Sequence, residues 1–298
     1  MARENSAFHS ESMPPAYPMR EVGWLHSGLP RAFSMDKSRC GRDRARRFRE
    51  RCRKGEFDSP TCAQEPDFVQ ANLIGIPKDH AFDFLQFSLL NSRACPLLDI
   101  VSGRDSPSIA AEADLSTDLP RYRVFRHGAF VEETKDTSRF VEEKNLIFFL
   151  VGCSFTWEHM LHEKVGVRHI QEWKNVPMFK TNIPNEHIGE FWGNLVVTMR
   201  PCMPGNLKQC IDTTSDYPGA HGGPVHAGNP SAIGIDDLGK PDYGDRVTIH
   251  DGEVPVFWPC GVTVLEASIS CKSIPLAITH SPGHMLITDI FVDELRGE

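Results

Sequence analysis

Apolar residues in this chain fall into short runs, each broken by small or polar residues. Leu146 to Val151 (LIFFLV) is one such run, too short to cross a membrane and of the length of a strand buried on both faces. Gly152-Cys153-Ser154 interrupt it, and from Phe155 the apolar positions Phe155, Met160 and Leu161 follow helical spacing, with Glu158 and His162 on other faces. A buried strand, a tight turn and a helix is how α/β proteins bring backbone N–H groups beside a ligand. A glycine turn after a buried strand is as often a plain connection, so the turn is a candidate rather than a site.

The same pattern reading covers the rest of the chain. Residues 38–54 read as a charged helix closed by Gly55, and Phe68 to Ile76 as a strand whose polar members are Gln70 and Asn72. Pro77 and Asp79 open a helix that ends before Cys95-Pro96, and Leu97 to Val101 is a strand; strand, helix, strand favours a parallel crossover. Tyr122 to Phe125 and Ala129 to Glu132 form a hairpin around His127-Gly128. Short strands follow at Val167 to Ile170, Pro177 to Ile183 and Leu195 to Arg200, then a short helix at Leu207 to Ile211. A Gly- and Pro-dense loop runs from Pro218 to Gly244, long enough to suggest a function. A second hairpin is read at Arg246 to His250 and Val254 to Trp258, then a helix at Val262 to Cys271 and strands at Leu276 to Ile278 and Met285 to Phe291. The fold class is therefore α/β, with mixed sheets and flanking helices. Residues 1–35, rich in Pro, Ser and Met, read as an extension, either disordered or lying over the body, and 36–298 as the catalytic region.

Composition narrows the class. The 298 residues carry a net charge of −8, which speaks against a nucleic-acid partner. Asp36 to Lys54 holds ten Lys/Arg against three Asp/Glu, leaving −15 on the remainder; this basic run reads as the solvated face of a helix. Nine cysteines without a CxxC pair, and an N-terminus without the apolar core of a signal peptide, predict a reduced, cytoplasmic protein with no membrane partner.

Candidate chemistry gathers where strands end. His221 and His226 lie among glycines in HGGPVHAGNP, where little crowds a ligand and a histidine can move protons. Their spacing does not match a helical metal pair, and no metal is expected. His280 and His284 form a second pair; Cys260 follows VPVFWP, Lys180-Thr181-Asn182 follow VPMF, and Arg200 follows NLVVTM. Together they predict one cleft. Gly234 to Lys240 has phosphate-loop spacing, but Pro241 stands where a Ser/Thr would hold magnesium and no strand leads into it. GxGxxG is absent as well, so no cofactor is expected.

The segments FVQANL (68–73), GCSFTWE (152–158), LVVTMRP (195–201), HGGPVHAGNP (221–230), EVPVFWPCGVT (253–263) and ITHSPGHMLITD (278–289), with others in order across residues 38–298, resemble the D-glutamate cyclase family, whose bacterial members bear the name hydro-lyase. The resemblance implies two interlocked α/β lobes and a lyase-type activity on a small acid. The chain departs from the family pattern at Phe179-Lys180 (Tyr-Arg), Asn229 (Asp), Val264-Leu265 (Pro-Gln) and Thr61 to Asp67 (a Gly-rich approach), losing polar groups and gaining apolar surface.

On a reading faithful to the family, His226 or His221 transfers protons with Glu158 as a further catalytic group. Arg200 and Lys180 hold carboxylates, Asn182 orients them, and amides at Gly152 to Ser154 receive the oxyanion. Thr181, Cys153, Ser154, Asn72, Cys260 and His280 complete the substrate-binding set. The alternative is a repurposed member that closes or dehydrates an apolar natural-product intermediate, for example by a Diels–Alder step, with the N-terminal extension as a lid. A third reading is a small-molecule sensor without turnover. The expected partner is a small-molecule substrate, and a homodimer is compatible with all three.

Overall fold

The computed structural model describes residues 35–143 and 145–297; the extension expected over residues 1–35 lies, but for Met35, outside them. The run Leu146–Gly152 forms β5, paired on one edge with β1 (Phe68–Pro77) and on the other with β2 (Leu97–Ser102). Both ladders are antiparallel, so β1 and β2 run parallel with β5 between them. The crossover through α2 (Lys78–Leu90) thus joins parallel strands that do not touch. Phe149 and Val151 face one core while Phe148 and Leu150 face another, as a strand buried on both sides requires.

The other edge of β1 changes partner along its length. Ile74 and Gly75 pair with β10 (Ala277–His280), whereas Phe68, Gln70 and Ala71 pair with β11 (Leu286–Phe291). Leu73 falls in the gap, and His280 fills it: its Nδ1 lies 3.3 Å from the Leu73 nitrogen and 3.2 Å from the Leu73 oxygen. The hairpin β3 (Tyr122–Arg126) and β4 (Ala129–Thr134) extends this seven-stranded sheet beyond β10. A short helix, α3 (Ser138–Glu143), leads back to β5.

A second sheet runs β6 (Met178–Pro184), β7 (Asn194–Cys202), β9 (Val254–Pro259), β8 (His226–Ala227), again antiparallel. It is built between β5 and β10, so the chain leaves the first sheet, makes the second and returns. A shared core joins them, with Ile74 and Phe149 of the first sheet, Val197 and Phe257 of the second, and Val264 and Leu265 of α7 (Val262–Ser270). On the far side of the second sheet, Trp157 and Leu161 of α4 (Phe155–Val165) pack with Cys210 of α6 (Leu207–Ser215) and Trp258.

Two expected strands are corrected. Arg168–Gln171 is a helical turn, α5, entered after Gly166 (φ +79°). Val167 and His169 are buried in alternation, which imitates a strand, but Gln171 N–H closes onto the Val167 carbonyl at 3.1 Å. Residues 246–250 join no ladder, because both edges of β9 are already taken by β7 and β8. The basic helix α1 (Met35–Arg53) buries Ala45, Phe48 and Cys52 against Phe68 and Ile287. Arg49, itself buried, donates to Asp289 (2.8 Å) and to the Ile287 carbonyl (3.0 Å), and Arg53 pairs with Asp118 (2.7 Å). No helix among the described residues is long and apolar enough to cross a membrane.

Candidate active site

The strand–turn–helix arrangement occurs twice. β5 passes to α4 through Gly152-Cys153-Ser154, and β9 passes to α7 through Cys260-Gly261. At each turn the amide two residues past the cysteine is met by its thiol sulfur: Phe155 N–H to Cys153 Sγ and Val262 N–H to Cys260 Sγ, both at 3.5 Å. A thiol is a weak acceptor, so the first amide of each helix keeps most of its hydrogen-bonding capacity, whereas the next two donate to turn carbonyls, Thr156 and Trp157 to Cys153 and Ser154, Thr263 and Val264 to Cys260 and Gly261. Burial pushes the Cys153 thiol up and the Cys260 thiol to about 11, which keeps both protonated at neutral pH and poor nucleophiles.

Both turns open on one cavity of about 10 Å³, room for the centre of a single water. Asn72, Ser154, Thr198 and His221 supply its polar wall, and Phe155, Val176, Met178, Val262 and Met285 its apolar one. The Asn72 amide donates to the carbonyls of Val151 (3.1 Å) and Gly152 (2.7 Å), which locks β1 to the first turn. The same amide lies against Gly261 of the second turn, where a Cβ would come within 2.1 Å of it.

His221 reaches the cavity because Gly152 has no side chain. A Cβ there would stand 1.8 Å from the Gly219 carbonyl oxygen, so only glycine lets the 218–221 turn lie this close. Trp157 Nε1 donates to the Ala220 carbonyl at 2.8 Å, and His221 itself is left-handed, with φ +77°. Arg93 clamps the segment: its carbonyl is 2.8 Å from His221 Nδ1 and its guanidinium donates to the Gly223 carbonyl. A carbonyl only accepts, so Nδ1 carries the proton and Nε2 keeps its lone pair. That Nε2 is buried and has no hydrogen-bond partner among the described residues. Burial pushes the ring down to about 4, so it is a neutral base at neutral pH.

Behind Ser154 lies a buried charged group. Arg200 donates through Nε (2.9 Å) and Nη2 (2.6 Å) to Glu158 Oε1, through Nη2 to Ser154 Oγ (3.1 Å) and through Nη1 to Thr198 Oγ1 (2.9 Å). Its guanidinium lies 4.8 Å from the Trp157 ring centroid and 5.4 Å from that of Trp258. His169 Nε2 is 2.9 Å from the same Glu158 oxygen, close in distance but outside hydrogen-bond alignment. Burial alone would push the Glu158 carboxyl up; His169 and Arg200 together outweigh it and hold the carboxyl below its usual range.

Asn72, Cys153, Ser154, His221 and Cys260 therefore share one cavity, with Arg200 and Glu158 directly behind it. The other candidates stand apart. His226 is half-buried on β8, its ring 5.7 Å from that of Phe257 and its Nε2 2.8 Å from the Asn229 carbonyl. Lys180 pairs with Glu266 at 3.0 Å, a carboxylate that also accepts the Tyr243 hydroxyl. Thr181 Oγ1 donates to the Leu195 carbonyl (2.7 Å), and Asn182 is exposed beside Gly234. His280 is engaged in the sheet gap. Sequence reasoning missed His169, Thr198 and the two tryptophans around Arg200. The available signal was an arginine inside an otherwise apolar strand, which needs a buried counter-charge. Among the described residues no three His, Cys, Asp or Glu side chains gather to hold a metal ion.

A family model described as D-glutamate cyclase matches residues 147–289. A protein of Bacillus subtilis named "putative hydro-lyase YcsI" is 48% identical over 241 residues, 80% of this chain and 93% of its own. A "putative hydro-lyase" of Pseudomonas syringae is 45% identical over 259 residues, 86% of this chain and 97% of its own. A solved nitrogen repressor-like protein from Methanococcus jannaschii covers 85% of the chain and 97% of its own at 11% identity, with a TM-score of 0.35, too distant to bear on the argument. With near-half identity across more than three quarters of its length, this chain belongs to the D-glutamate cyclase family.

Proposed function

We propose that the chain is a lyase or cyclase that expels water from a small acid at this cavity. His221 is its general base, and the N-termini of α4 and α7 are its oxyanion site. One observation carries the reading: a buried imidazole whose Nε2 has no hydrogen-bond partner among the described residues lines the cavity on which two helix N-termini open. Loss of water needs a base for the departing proton, an acid for the departing oxygen and donors for the negative charge between them. In D-glutamate ring closure the ammonium nitrogen bonds to the side-chain carboxyl carbon, and two protons pass from nitrogen to the oxygen that leaves as water. His221 Nε2 accepts a proton and, as imidazolium, returns it to that oxygen. The cavity's size suits the departing oxygen, and the rest of the substrate requires the apolar wall to move.

That apolar wall supports a second reading, in which the same cavity closes or dehydrates a larger, mostly apolar intermediate. The two methionines in it are the side chains best able to re-pack around a bulkier guest.

The test is D-glutamate loss and 5-oxoproline formation by chiral chromatography. His221→Gln should lower turnover by about 10²–10⁴-fold, whereas His226→Ala should leave it within about tenfold of wild type, since His226 lies off the cavity. Full turnover in His221→Gln defeats the assignment. A folded wild-type protein without turnover defeats the small-acid reading and favours the apolar one.

A further inference from the structure

We propose that Cys202 and Cys210 form a redox modification site, a dithiol that hydrogen peroxide converts to an intramolecular disulfide beside Arg200. Cys202 ends β7, two residues beyond Arg200, and Cys210 sits on α6; their sulfurs are 3.0 Å apart, inside ordinary non-bonded contact. Both are buried, Cys202 the less completely, next to Met203, which is half exposed. The two sulfurs share a hydrogen-bond contact that lowers Cys202 toward its thiolate, while the same contact and burial raise Cys210. The two cysteines thus differ as an attacking and a resolving thiol should.

The chemistry balances in two steps. The Cys202 thiolate attacks one peroxide oxygen, the O–O bond breaks, and a sulfenic acid and hydroxide result, the hydroxide taking up the proton that the thiol had lost to leave as water. Cys210 then attacks the sulfenic sulfur, releasing a second water and forming the S–S bond. Two electrons pass from the thiols to peroxide, and a thiol reductant reverses the change.

The pair is tied to Arg200 by two routes. One is the backbone Arg200-Pro201-Cys202. The other runs from the Cys210 carbonyl to the Thr214 hydroxyl (2.9 Å), from that oxygen to Trp258 Nε1 (3.0 Å), and on to the tryptophan ring that lies on the guanidinium. A disulfide fixes α6 to the end of β7 at this point.

The experiment exposes the full chain to graded hydrogen peroxide, alkylates the remaining thiols and analyses the digest by mass spectrometry. The expected result is a Cys202–Cys210 cross-linked peptide at the lowest effective dose, removed by dithiothreitol, with Cys153 and Cys260 still alkylated. In Cys210→Ala the reaction should stop at a sulfenic acid on Cys202 that dimedone traps. The proposal is overturned if Cys202 proceeds to sulfinic acid in the wild type without a cross-link, or if both thiols remain alkylatable while other cysteines oxidise. The wild-type arm stands even where the variant fails to fold.

Discussion

Gly152→Ala is a one-carbon change that reaches the candidate site without removing a polar side chain. The added Cβ would stand 1.8 Å from the Gly219 carbonyl oxygen, and ordinary contact begins at 3.4 Å. The turn carrying His221 must therefore retreat by about 1.6 Å, or β5 must bend, and backbone cannot swing aside as a side chain tip can. Gly152 does not occupy the left-handed region, so alanine suffers no strain there beyond the collision. Overpacking of this kind costs about 1–3 kcal/mol, which for a chain of this size lowers the thermal midpoint by roughly 2–5 °C. On the proposed reading His221 is a catalytic group, and one misplaced by about 1 Å loses roughly 10²-fold in rate, so turnover should fall further than stability suggests. Gly205→Ala is the control: nothing lies within 4 Å of its added Cβ, and it should unfold like wild type. Thermal and urea unfolding of both variants, with turnover measured in parallel, makes the comparison. A Gly152→Ala protein with wild-type midpoint and wild-type turnover would refute the close approach and the placement of His221 that depends on it.

Three further outcomes follow from the buried charges. His221 and His280 are each held near 4 against an ordinary 6.5, so the unfolded chain takes up protons that the native state refuses. Stability should be complete above about pH 6.5 and fall as pH drops toward 4, by up to roughly 3 kcal/mol for each ring. Urea midpoints between about pH 7 and pH 4.5 read this before the carboxylates titrate, and His221→Gln should flatten the curve; a flat wild-type curve would be inconsistent with two buried neutral rings. Glu158→Gln and Arg200→Met each leave a buried charge uncompensated and should destabilise by about 3–5 kcal/mol. The double variant should lose less than the sum, and strict additivity in denaturant unfolding would show the pair is not coupled.

Much of the scaffold was legible because its strands are buried on both faces and its turns use small residues. LIFFLV-GCS and VPVFWP-CG both announce a strand meeting a helix, and the structure brings the two ends to one cavity. The failures have specific causes. At Val167 to Ile170 a single helical turn buries every second residue, so a period of two arises without a strand. At 246–250 the alternation is genuine, but whether a neighbouring edge is free depends on β8, a two-residue strand that no periodicity reveals. The choice between His221 and His226 was likewise invisible. It rests on a left-handed backbone at His221 and on a contact between Gly152 and Gly219, sixty-seven residues apart.

The pairing of Arg200 with Glu158 bears on what such a site favours. A free guanidinium at the cavity would grip any carboxylate in the ground state, and grip of that kind speeds nothing once substrate is bound. Here the guanidinium is already engaged by Glu158, Ser154 and Thr198, and the imidazole beside the cavity is neutral. The remaining attraction for negative charge comes from the first amide of each of two helices, Phe155 N–H and Val262 N–H, which has only a thiol sulfur as acceptor. Those donors gain most from an oxygen that becomes anionic in their midst. On the proposed reading, Arg200 and Glu158 therefore fix Ser154 and α4 in place, and the helix ends favour the tetrahedral oxyanion over the carboxylate that precedes it.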